Sequence, residues 1–215
     1  KDLFMSTQIL LKSTYHENSN LLEVGVDEAG RGALAGPVTV AACIMPPNFQ
    51  HPLIKDSKIL NEKERAEARQ IVLENAISYH VEHIDVDQIE STNILRATLK
   101  GMETCLHEVN KKTLFDFITI DGDQFHGFNG VPFVCVVGGD NKYINIAAAS
   151  ILAKTERDAM MKELSEIEGF ESYGWNSNKG YGTAQHIKAI KESGATDHHR
   201  ASFISHLTTT ASQLF

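Results

Sequence analysis

The hydrophobic periodicity of this chain switches between two residues and 3.6 in a fixed order, and that order restricts its fold more than any other property. LLEVGVDE (21–28) and VTVAACIM (38–45) read as strands, the second closed by Pro46 and Pro47, which cannot continue a ladder. Asn61, with Glu64 three residues on, is a capping-box signature that opens a helix through NEKERAEARQIVLENA. YHVEHI (79–84) alternates as a third strand. A helical pattern then runs from about Asn93 to Asn110, with Leu95, Leu99, Met102 and Leu106 on one face. LFDFITIDG (114–122) and VPFVCVVGGD (131–140) are two further strands, and residues 144–168 form one long helix. GTAQHIKAIKESG (182–194) is a short helix stopped by Gly194. Three strands, then alternating helices and strands, then helices, imply an α/β fold. Its mixed sheet begins antiparallel and continues parallel through crossovers.

Three of the apolar runs end on an acid. Asp27, Asp121 and Asp140 each close a strand next to glycine or a turn, and Glu28 adjoins the first. In open α/β sheets, ligands collect at the carboxyl ends of strands. If the strands ending at Asp27 and Asp121 are parallel neighbours, their carboxylates lie close together, and Asp140 enters from the side. Oxygen donors without cysteine or paired histidine favour Mg²⁺ or Mn²⁺ over zinc. Two such ions about 4 Å apart form a clamp for phosphodiester hydrolysis. Each acid alone is equally explained as a turn former or a helix cap.

Composition narrows the setting. The 215 residues are 42% hydrophobic and 22% charged, as in an ordinary soluble domain. The expectation is a single domain over 1–215, with a core at about 20–168 and a C-terminal helical part at about 169–215. Cys43, Cys105 and Cys135 lack metal-like spacing and lie in apolar stretches, so they read as reduced, buried residues of a cytoplasmic protein. The longest apolar run, IAAASILA, is far too short to span a membrane, and the N-terminus lacks the pattern of a signal peptide. Met5 is a candidate natural start. The net charge of −8 argues against a nucleic-acid partner, but residues 176–200 gather Lys179, Lys188, Lys191 and Arg200 with three histidines against two acids. Cations held by the acids would also make the total misleading.

The strings VDEAGRGALAGPV (26–38), DSK (56–58), AAASILAKTERD (147–158), NKGYGT (178–183) and HRASF (199–203) together resemble type 2 ribonuclease H, the bacterial ribonuclease HII family. The resemblance runs from about residue 22 to 203, with the motifs in the family's order and spacing. It implies a ribonuclease-H-like fold: a five-stranded mixed sheet, its first three strands antiparallel and its first and fourth parallel, flanked by helices. It implies that Asp27, Glu28, Asp121 and Asp140 hold two Mg²⁺ or Mn²⁺ ions at a scissile phosphate. The cut would fall 5′ to a ribonucleotide in duplex DNA or in an RNA·DNA hybrid, leaving a 3′-hydroxyl and a 5′-phosphate.

The same resemblance makes Gly30, Arg31 and Gly32 a substrate-reading loop. Glycines let the backbone approach closely and test for a 2′-hydroxyl, and Arg31 would grip a phosphate. Tyr181 would pack on the sugar–base unit at the junction. Lys58 and Lys179 are candidate phosphate contacts, while His199 and Arg200 either bind the substrate backbone or brace the loop. Ala147 to Ala149 let a helix pack closely on the sheet.

Three positions depart from the family: Ala33 where proline is usual, Gly138 where a lysine is common, and Asp123 where an uncharged residue is usual. Gly138 motivates one alternative, a nucleic-acid-binding protein with impaired catalysis. A metal-dependent phosphohydrolase of small molecules is the other, and the loop and Tyr181 argue against both. The protein is expected to be a monomer that does not bind membranes. The ending SQLF suggests a short sliding-clamp-binding peptide through Gln213 to Phe215, against the plainer reading of a frayed terminus.

Overall fold

The computed structural model describes residues 10–16 and 21–208. Its five strands are β1 (Glu23–Ala29), β2 (Val38–Ile44), β3 (Ser78–Ile84), β4 (Phe117–Asp121) and β5 (Phe133–Val136). The helices are α1 (Glu62–Asn75), α2 (Val86–Ser91), α3 (Ile94–Lys112), α4 (Ile144–Ser165), α5 (Trp175–Asn178), α6 (Ala184–Ser193) and α7 (Ala201–Thr208). The sheet order is β3-β2-β1-β4-β5. β1 pairs antiparallel with β2 and β2 with β3, whereas β1–β4 and β4–β5 are parallel. This is the mixed sheet expected from the sequence.

Strand alternation divides the core between the two faces of the sheet. Val24, Val26, Val40, Ile118 and Ile120 point toward α3, where Met102, Cys105, Leu106 and Val109 meet them. Ala41 and Cys43 face α4 and α1, against Ala148, Ile151, Leu152, Ala68 and Val72. The α4 contact is unusually close: a Cβ on Gly25 would lie 2.2 Å from the Asn145 carbonyl carbon. Glycine on β1 and alanines at 147–149 of α4 therefore set that spacing. A third cluster, Ala35, Met161, Tyr173, Trp175, Ile190 and Ile204, fixes the C-terminal helices to the far end of α4.

The structure confirms the capping box at Asn61. Its side chain accepts the Glu64 N–H at 2.9 Å, and the Glu64 carboxylate accepts the Asn61 N–H at 2.9 Å. Other expectations are corrected. Of the expected α3 face, Met102 and Leu106 are buried and Leu99 packs half-buried against the core, but Leu95 is only half-buried. Ala97, Thr98, Gly101 and Cys105 complete the inward face, with Val40 and Ile84 leaving no room for a side chain at Gly101. β4 and β5 are shorter than their apolar runs. Cys135 is half-exposed on the edge strand, while Cys43 and Cys105 are buried, and all three thiols are free. The short helices α2, α5 and α7 have too few turns to show a hydrophobic period. No helix among the described residues is long and apolar enough to cross a membrane.

Candidate active site

The acids meet at one end of the sheet. The parallel register places Val26 beside Ile120, so the next residues, Asp27 and Asp121, are neighbours at the tips of β1 and β4. Asp27 is 4% exposed. It accepts the Glu28 N–H at 2.7 Å and a hydrogen bond from Ser150 of α4, whose Oγ lies 3.0 Å from that of Ser57. Asp121 accepts the Gly139 N–H at 2.7 Å. Asp140 sits in a single 3₁₀ turn, Gly139–Asn141, and is 2% exposed. Its carboxylate takes Lys58 Nζ at 3.1 Å and Asn141 Nδ2 at 3.1 Å.

Glu28 does not leave the strand. It stays in register opposite Val40, and Ala29 still pairs with Thr39; the chain turns only at Gly30, where φ is 87°. Asp27 and Glu28 thus project from opposite faces of the same strand tip. Glu28 pairs with Arg31 at 3.4 Å.

Electrostatics at this end of the sheet favour a cation. Burial pushes the Asp27 carboxyl well above the usual range, and the charges of Glu28 and Asp121 add to it. Burial also raises Glu28 and Asp121, with Arg31 and the Gly139 N–H partly opposing. Burial works against the charge of Lys58, but its hydrogen bond and ion pair to Asp140, with Asp56 and Asp27 behind, outweigh that and raise its pKa. Three carboxyls that resist ionisation beside one another form a hard-oxygen donor set suited to Mg²⁺ or Mn²⁺. Among the described residues, no three such side chains close on one point as a preformed cage. Each acid instead turns to an internal N–H or cation. Mg²⁺ is ordinarily held this way, by a few carboxylates with water and substrate phosphate completing its shell. The residues fit the ions.

The loop that follows is rigidly backed. At Gly30 the φ of 87° strains any side chain, and a Cβ there would lie 1.8 Å from Arg157 Nε and push that side chain off its carbonyl partners, whereas Gly32 faces open space. Arg157, fully buried, donates to the carbonyls of Pro37, Ala35 and Lys179 at 2.9, 3.1 and 2.8 Å. Arg200 is equally buried. It donates through Nε and Nη2 to Gly36 at 3.0 and 2.9 Å, and through Nη1 to the Arg31 carbonyl at 3.0 Å. Of the two roles open to Arg200, the brace fits its burial; contact with substrate does not. Arg31 itself projects outward.

Tyr181 is partly exposed, with Arg157 Cζ 5.3 Å and Lys154 Nζ 5.9 Å from its ring centroid. Its carbonyl accepts from His186 Nδ1 at 3.0 Å. His186 Nε2 accepts from Trp175 Nε1 at 3.0 Å and lies 3.1 Å from His199 Nε2, while His199 Nδ1 accepts the Thr196 N–H at 2.9 Å. These partners fit two neutral imidazoles, His199 donating to His186. Burial lowers both pKa values, that of His199 to about 4. His199 therefore belongs to the support beneath Tyr181. Lys179, in the left-handed region at φ 53°, directs its ammonium to the Asn176 carbonyl at 2.5 Å.

Asp27, Asp121, Asp140 and Lys58 thus gather at one end of the sheet, and Glu28, on the other face of the same strand tip, lies within electrostatic reach of Asp121 and Lys58; all adjoin Gly30–Gly32. Asp123 is exposed and outside this group, and Gly138 is left-handed at φ 64° with open space around it. Gln213 to Phe215 lie outside the described residues. Sequence reasoning missed Ser57, Ser150, Asp56, Arg157 and His186. Ser57 and Asp56 lie in the DSK string and Ser150 and Arg157 in AAASILAKTERD, so their motifs were visible but their contacts were not.

Residues 24–206 match the family model described as Ribonuclease HII. Ribonuclease HII of Cytophaga hutchinsonii is 43% identical over 190 residues, covering 88% of this chain and 92% of that protein. Among solved structures, the PCNA:RNase HII complex from Archaeoglobus fulgidus matches with a TM-score of 0.65 at 22% identity, over 84% of this chain and 94% of that one. Bst-RNase HIII in complex with Mn²⁺ matches with a TM-score of 0.68 at 18% identity, over 91% of this chain and 73% of that one. These two structural likenesses establish the fold.

Proposed function

The chain belongs to the ribonuclease HII family, a nuclease and hydrolase of the ribonuclease H type, and on that premise we propose how and where it cuts. It hydrolyses the RNA strand of RNA·DNA hybrids and cuts 5′ to ribonucleotides embedded in duplex DNA. The products carry a 3′-hydroxyl and a 5′-phosphate, and the role is ribonucleotide removal in replication and repair. The observation that carries this reading is the joining of the carboxylates at one sheet end to a braced glycine loop on the same strand.

Asp27, Glu28, Asp121 and Asp140 would hold two Mg²⁺ or Mn²⁺ ions. Bound there, the ions supply an attacking water of lowered pKa and stabilisation for the departing 3′ oxygen. Gly30 and Gly32 bring main-chain groups against the 2′-hydroxyl, the group that separates RNA from DNA. Arg31 grips a phosphate with its planar fork. Tyr181 gives the junction sugar and base an aromatic surface, held from beneath by Arg157 and His186. Lys58 and Lys179 add phosphate contacts, and Arg200 acts by holding the Arg31 backbone.

The chain works as a single, monomeric catalytic domain in the cytoplasm, its part from about 169 on serving substrate binding. Docking of Gln213 to Phe215 on a sliding clamp is the partner reading of the tail; unchanged clamp binding after deletion of those three residues would remove it. The central test maps the cut on a duplex with one embedded ribonucleotide, with Mn²⁺ and Mg²⁺ in turn. A single cut 5′ to the ribonucleotide is expected, and cleavage no greater than that of Asp121→Asn would sink the reading.

A further inference from the structure

α4 runs alongside β1 in the same direction and continues past its tip. Asn145 lies against Gly25, Arg157 against Gly30 and Met161 against Gly36. The last turns of α4 therefore stand beyond the catalytic acids, on the side of Tyr181. Between these turns, α1 and α5 lies an open groove of about 680 Å³, lined by the cations Arg65, Arg69, Lys154, Lys162 and Lys179. Glu62 and Asp158 are the acids on its walls. In a chain of net charge −8, this is a marked local excess of positive charge.

The cations are not equivalent. Arg65 is committed to the fold, donating to the carbonyls of Ser57 and Leu60 at 2.9 and 2.7 Å. Arg69 pairs with Glu156, and Lys154 with Asp158 at 2.7 Å. Lys162 is exposed and forms no ion pair among the described residues, and the Lys179 ammonium reaches only a carbonyl. The groove opens next to Tyr181, since Lys154 lies over that ring.

We propose that this groove carries the phosphate backbone of the duplex beyond the cut, with Lys162 as an outlying phosphate contact. The inference rests on the nucleic-acid reading above and adds to it a second anchoring place. Helical rise sets the scale. Ser150 lies beneath Asp27, and twelve residues separate it from Lys162, about 18 Å at 1.5 Å per residue. With the duplex axis laid along α4, at about 3.4 Å of axis per base pair, that corresponds to about five base pairs. A small phosphate ester would not span the two places; a continuous backbone would.

The test measures duplex binding in EDTA, so that no cleavage intervenes, for wild type, Lys162→Ala, Lys162→Glu and a remote control, Lys100→Ala. Two duplexes with one ribonucleotide are used: one extends at least ten base pairs on both sides, and the other ends three base pairs from it on both sides. On the long duplex, Lys162→Ala should weaken binding about threefold at moderate salt and reduce the salt slope by about one, with a larger loss for Lys162→Glu. On the short duplex, both variants should match wild type. An unchanged affinity and slope on the long duplex, or an equal loss on both duplexes, would overturn the groove. Wild-type cleavage of the same long duplex with Mn²⁺ is scored separately. Normal cleavage with no Lys162 effect removes the groove alone; a Lys162 effect without cleavage removes the catalytic reading and leaves the groove.

Discussion

Asp27 carries conflicting demands. It is buried, flanked by Glu28 and Asp121, and held by only one N–H and one hydroxyl. A carboxylate so placed costs folding free energy that bound cations would return. Asp27→Asn should therefore lower the cleavage rate by at least about 10²-fold, while the metal-free variant melts at or above the wild-type temperature. A lower melting temperature together with retained cleavage would assign Asp27 a structural role. Arg200 shows the opposite case, a charge whose donors are spent on loop carbonyls. In the sequence the two look equally functional, because a motif records that a residue matters and not what it touches.

Among the elements, the contact between β1 and α4 decides where the acids stand. Gly25 and the alanines of α4 let helix and strand approach until backbone meets backbone. Gly25→Ala puts a methyl into the Asn145 peptide, which neither element can yield without moving. It should destabilise the protein by about 3 kcal/mol or more, at the upper end of overpacking costs. It should also lower cleavage, because α4 carries Ser150 and begins beside Asp140. Thermal melting with activity measured well below the transition checks both; a neutral outcome would mean that the contact is softer than described. Sequence periodicity located β1 and α4 to within a few residues. It could not indicate the distance between them, which depends on facing side chains far apart in sequence.

At the scale of the whole molecule, the C-terminal helices are fastened to the sheet end through Arg157, Arg200 and the His186–His199 pair. The pair makes this joint sensitive to acid. The folded pKa of His199 lies near 4, below its ordinary 6.5, so between those values the unfolded chain takes up a proton that the folded chain refuses. The stability it confers is complete above pH 6.5 and is lost as pH falls toward 4. The melting temperature of His199→Gln should consequently change less over that range than that of wild type. Parallel profiles would show that His199 does not drive the loss.

Taken alone, the sequence determined the α/β class, the order of strands and helices along the chain, the capping box and which strands end on an acid, because these depend on local periodicity and short motifs. Tertiary structure decided what depends on pairing between distant segments. The parallel register brought Asp27 beside Asp121, and the ladder to β2 kept Glu28 in the strand up to Gly30. Of the two roles the sequence left open for Arg200, its burial and its bonds to the Gly36 and Arg31 carbonyls fit the brace. The basic groove exists only because α1, α4 and α5 come together, so its cations, scattered over more than a hundred residues of sequence, form no pattern before the chain folds.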